Sequence, residues 1–178
     1  MEGIATSRNW ISFVIIFGLV FLVLYWIYLS LPEAILTNKI YYYGITAPSA
    51  ALIRFVAPAE SVRAVGDQLF SPGASLSIVR GCDAAGLYFL LIAAILAVKS
   101  SVLRSIAGVI GATIFVYLIN QIRIFTLYFT LAYHSQWFVP LHAYAFPMLF
   151  IALGFIYFTL WLAPPPAPSN DRVPPTAK

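Results

Sequence analysis

Residues 81–104, GCDAAGLYFLLIAAILAVKSSVLR, contain no charge between Asp83 and Lys99 and end in a short basic connection. The run from Gly86 to Val98 is apolar throughout, and the small residues back to Cys82 extend it to the length of a membrane-spanning helix, which needs ~20 residues. Reading this stretch as a crossing sets the fold class. Only 9% of the 178 residues are charged and 62% are hydrophobic, whereas a soluble domain carries about 25% charge. The expectation is an all-α integral membrane protein with about four transmembrane helices in one bundle. At this length there is no room for a second domain.

Working outward, Trp10–Leu31 forms the first span, with Trp10 at one end and Tyr25, Trp26 and Tyr28 at the other as interfacial aromatic belts. Its apolar run is longer than the core of a signal peptide and no small-residue cleavage site follows, so it reads as an uncleaved helix. The second span is 83–99. The third is 105–128, within the apolar run Ser105–Tyr133, where Gly108 and Gly111 allow close helix approach. The fourth is 141–163. The Pro-rich tail 164–178, PPPAPSNDRVPPTAK, reads as a disordered cytoplasmic end.

Between the first two spans, Pro32, Pro48, Pro58 and Pro72 and scattered charges break the apolar pattern. Ala47–Ala57 reads as a short interfacial helix. A full crossing over 35–57 is the alternative, opposed by Asn38, Lys39, Pro48 and Arg54. ASLSIV (74–79) alternates like a strand and forms a β-hairpin with VGDQLF (65–70) around the turn SPG.

Four crossings put Arg8, Lys99, Arg104, Arg172 and Lys178 on one side. Short basic segments favour the cytoplasm, so the hairpin lies outside the cell membrane. The net charge of +4 is dispersed near span ends, with no basic run or basic-aromatic interleaving. Lipid headgroups are therefore the expected partner and nucleic acid is not. A single cysteine excludes an internal disulfide, and with two histidines it is too few for a closed metal site. No metal or cofactor is expected. Oligomeric state is not legible.

Helical rise of ~1.5 Å per residue gives depths. Cys82 lies 17 residues before Lys99, roughly 26 Å from the cytoplasmic edge. Arg123 lies 19 residues after Arg104 and His142 19 before Trp161, each roughly 28 Å from that edge. Three helices thus bring a thiol, a guanidinium and an imidazole to one outer level. Taken singly, each residue has a plainer role: a small buried hydrophobe, a snorkelling arginine, an interfacial histidine. Independent residues of those kinds have no reason to converge.

Together the three suit acyl transfer. A helix N-terminus beside Cys82 favours the attacking thiolate, and His142 is available as base and then as acid toward the leaving amine. Arg123 suits the oxyanion. Asn120, three residues before Arg123 on the same face, is placed to hold the guanidinium. Asp83 is expected to cap the second span rather than to orient His142.

At these residues the chain resembles the exosortase and archaeosortase family of membrane-embedded cysteine transpeptidases. The matching pieces are GCDAAG (81–86), NQIRI (120–124) and PLHAYAFP (140–147), in the family's Cys, Arg, His order over roughly residues 65–163. The resemblance implies that Cys82 is the nucleophile, Arg123 the essential arginine, Asn120 the opening of the NxxR motif, and His142, rather than His134 in YHSQWF, the conserved histidine. The size resembles the family's small single-domain branch. Gly86 departs from the pattern, arriving two residues late after the cysteine. The resemblance also implies a bacterial inner membrane with the site on its outer face. The implied substrates are exported proteins with a C-terminal sorting signal: a short motif, a transmembrane helix and a basic end. Two further readings share these residues: a protease that only hydrolyses, and a non-catalytic assembly factor or transporter subunit using Asn120 and Arg123 as a polar site.

Overall fold

The computed structural model describes residues 2–163. The tail expected to be disordered, 164–178, lies outside the described residues. Helix α1, Glu2–Ser30, opens the chain, and Pro32 ends its pattern. A bent helical segment follows, made of a short turn Glu33–Ile35, a π-helical stretch Leu36–Thr46 and helix α2, Ala47–Val56. Strands β1 Arg63–Val65, β2 Gln68–Phe70 and β3 Ser75–Ser77 come next. Helix α3 is Ala85–Ala97 and α4 is Val102–Tyr133. Ser135–Leu162 is helical almost throughout, with a π-helical turn Leu141–Ala145 leading into α5, Phe146–Leu162.

Three helical segments are long and apolar enough to cross a membrane: Trp10–Ser30, Val102–Tyr133 and Ser135–Leu162. Their outward side chains, among them Trp10, Leu22, Ile114, Ile151 and Leu160, are exposed among the described residues, as in a membrane protein whose apolar surface faces lipid. Four spans were expected; the second of them, α3, has 13 helical residues, which reach ~20 Å of a hydrocarbon core about 30 Å thick. Its shortening has a local cause. Gly81 and Ala84 both take positive φ, +89° and +60°, so residues 81–84 form a turn instead of the first helical turn. The non-helical backbone there sits against other elements, the condition under which such backbone persists at depth.

The short helix expected over Ala47–Ala57 is present as α2, Ala47–Val56, but it continues a helical segment that starts at Glu33. This segment is not one of the three long apolar helices. Ser49, Ala50 and Ile53 give α2 a buried face, and Ser49 Oγ donates to Gln121 Oε1 on α4 at 2.6 Å.

The expected hairpin is a three-stranded antiparallel meander in the order β1-β2-β3. VGDQLF is not one arm: Val65 ends β1, Gly66-Asp67 make a two-residue turn, and Gln68–Phe70 form β2. Gly66, at φ +59°, is the first central residue, where a type II′ hairpin turn wants glycine. Leu69 pairs with Leu76, and both are buried with Val62 and Ile78 beneath the sheet.

At the opposite end α4 and α5 approach closely, as the glycines predicted. A β-carbon on Gly108 would collide with the Trp161 indole, and one on Gly111 with the Tyr157 hydroxyl. Tyr157 instead donates to the Gly108 carbonyl at 2.7 Å. Arg104 donates to the carbonyls of Trp161, Leu162 and Ala163, capping the C-terminal end of α5 where its dipole is negative.

Candidate active site

Cys82 sits in the turn before α3, its N–H donating to the Val79 carbonyl at 2.9 Å. It is partly exposed and unbridged. His142 arrives from the π-helical turn ahead of α5, and its Nε2 lies 3.5 Å from Cys82 Sγ. Arg123, on α4 and only 5% exposed, donates through one terminal nitrogen to the Cys82 carbonyl at 3.2 Å and through the other to His142 Nδ1 at 3.4 Å. The thiol, the imidazole and the guanidinium expected at one depth are thus in mutual contact.

A guanidinium has only donors, so a bond from Arg123 requires Nδ1 to be the accepting nitrogen. The hydrogen of the neutral ring is then on Nε2, directed at the sulfur. In this arrangement the positive charge that can balance a thiolate is the guanidinium. Two rings hold the group in place: Phe138 stacks on His142 with centroids 5.3 Å apart, and Arg123 lies 5.4 Å over the Phe150 ring.

The two supporting residues fare differently. Asn120 is buried, but its Oδ1 has no hydrogen-bond partner, so it does not hold the guanidinium. Three residues apart is one helical face, yet Arg123 reaches away toward the 82 turn while Asn120 lines a groove bounded by α1, the π-helical stretch and α3. Asp83 does accept from Ala85 N–H through Oδ1 at 3.2 Å, as a cap would. Its other oxygen takes Tyr28 at 2.5 Å and Tyr41 at 3.1 Å. His134 lies exposed at the end of α4, apart from the cluster.

Sequence reasoning did not identify Tyr28, Tyr41, Arg80 or Phe138. Tyr28 was legible only as a belt aromatic. Arg80 donates to the carbonyls of Tyr28, Leu29 and Leu31 and pairs with Glu33 at 3.1 Å, which ties the 82 turn to the end of α1. Nothing in a one-dimensional pattern links residue 80 to residue 28.

A cavity of about 480 Å³ opens beside the cluster between α1, α3 and α5, lined by Phe21, Tyr25, Asp83, Arg123, Phe150 and Ile151 among others. Its walls are apolar and its polar groups lie at the cysteine end. Among the described residues no group of three or more His, Cys, Asp or Glu side chains comes together. No protein-family model, curated protein or solved structure matches the chain.

Proposed function

We propose that this chain is a membrane-embedded cysteine peptidase or transpeptidase of the exosortase type. It would act at the outer face of a bacterial inner membrane on exported proteins that end in a short motif, a transmembrane helix and a basic segment. The observation that carries the reading is the contact of Cys82 Sγ with His142 Nε2 while Arg123 holds both residues. The side cavity, apolar along its walls and polar at the cysteine, suits a substrate that is itself partly in the membrane.

In this reading the thiolate of Cys82 attacks the substrate carbonyl carbon, forming the C–S bond and placing negative charge on the carbonyl oxygen. As that charge grows, the guanidinium of Arg123 turns to it from Nδ1. The imidazole, now free at Nδ1, takes there through water the one proton that the thiol gave up and donates its Nε2 hydrogen to the leaving nitrogen, and the C–N bond breaks. An acceptor amine or water then attacks the thioester, regenerating the thiol.

The deciding experiment co-expresses the chain with an exported protein bearing such a C-terminal signal. Cys82→Ala at normal protein levels should stop processing, and continued processing would remove the proposal. Mass analysis of the released C-terminus separates transfer from hydrolysis. The non-catalytic alternative predicts that Cys82→Ala is tolerated and that only changes at Asn120 and Arg123 are felt.

A further inference from the structure

The turn that carries Cys82 has two local hydrogen bonds, from Cys82 N–H to the Val79 carbonyl and from Ala85 N–H to Asp83 Oδ1. Gly81 and Ala84 both have positive φ, and alanine rarely adopts that conformation unless its surroundings impose it. What surrounds Cys82 is a pair of anchors, one on each side in the chain, and both reach the outer end of α1. Two residues before it, Arg80 grips the last carbonyls of α1. One residue after it, the Asp83 carboxylate accepts from Tyr28 on α1 and from Tyr41 on the π-helical stretch, and the two phenol oxygens lie 3.0 Å apart. Tyr28 is 8% and Tyr41 1% exposed, and the Asp83 carboxylate beside them is half-buried. The π-helical stretch bearing Tyr41 is an unusually long run of a rare conformation that concentrates at functional sites.

We infer that Asp83 is a positioning residue which, latched by Tyr28 and Tyr41, holds the Cys82 thiol within reach of His142. The outer end of α1 and the π-helical stretch thereby become parts of the active site without touching substrate. The inference rests on Cys82 being the nucleophile, but its structural half is testable without turnover.

Cys82 is the only cysteine, so protein labelled with ¹³C at the cysteine β-carbon has one cysteine resonance to follow. In Asp83→Ala, and in the double variant Tyr28→Phe, Tyr41→Phe, that resonance should leave its wild-type position and move toward the one found in His142→Ala. Turnover of the sorting substrate should fall about 100-fold with KM within about twofold, the penalty for a reacting group misplaced by about an ångström. Asp83→Asn, which retains one oxygen for Tyr28, should recover part of both. If Asp83→Ala does not fold, the double phenylalanine variant decides, because it retains both rings. A resonance unmoved in the phenylalanine variant overturns the inference. Processing that survives Cys82→Ala overturns the catalytic reading instead, and does so whatever the resonance shows.

Discussion

The two ends of the helix bundle are held by different physics. At the Trp161 end α4 and α5 meet ring against glycine, with Trp161 over Gly108 and Tyr157 over Gly111, and the Arg104 guanidinium caps a helix. At the Cys82 end the chain leaves helical geometry repeatedly, in the 81–84 turn, the strands and two π-helical stretches, and polar side chains join the packing. Tyr28, Tyr41, Asp83, Arg80, Arg123 and His142 form bonds that cross from one element to another. The lesson is that shape complementarity suffices where backbone hydrogen bonds are complete. Where they are not, as at a reactive turn, a dense polar network has to replace them.

Four changes test that contrast, in order of expected size. Arg123→Lys keeps the charge but cannot reach Cys82 O and His142 Nδ1 together, so sorting activity should drop about 10²- to 10³-fold, measured as processing rate at equal protein level. Deleting Ala143 should remove the extra residue of the π-helical turn and draw His142 one residue closer to α5, displacing its imidazole from Cys82. Activity should then fall by about 100-fold or more while the chain still inserts and folds. Retained activity would show that the π-turn does not aim the imidazole.

At the Trp161 end, Gly108→Val should cost about 1–3 kcal/mol through overpacking against Trp161, read as a lower unfolding temperature in detergent. The Cys82 resonance should not move in that variant; if it does, the two ends are coupled and the contrast fails. The smallest effect belongs to Glu60, whose carboxyl is held below its ordinary range by hydrogen bonds from Tyr133 and then Tyr128. A group depressed in the folded state contributes stability above its unfolded titration, and that contribution is lost as pH falls through the folded value. The unfolding temperature of wild type should therefore decline into acid slightly more than that of Glu60→Gln, in a pH series below the usual carboxylate range.

The convergence of Cys82, Arg123 and His142 was legible because helical rise turns sequence distance into depth, and depth is one of three coordinates. Rotation about each helix axis was not legible, since the π-helical turn at 141–145 and the positive-φ residues of the 82 turn alter it locally. The same gap explains the misassigned Asn120: spacing put it on the face of Arg123, but the long arginine bends away from that face to meet a turn. The start of the second helix was misplaced for a related reason: 83 was expected and Ala85 is found. Apolar composition runs back to Cys82, and composition does not register that Ala84 adopts a left-handed conformation.

By itself the sequence determined that the chain belongs in a membrane, where its long helices run, and that the glycines at 108 and 111 bring two of them together. Those properties follow from transfer energies and side-chain volume, which belong to residues one at a time. Only the tertiary structure decided that Asp83 meets Tyr28 and Tyr41, that Arg80 grips α1, and that the hydrogen on His142 faces the sulfur. Each of these is a directional bond between residues far apart in the chain, and direction exists only once the backbone has been bent into place.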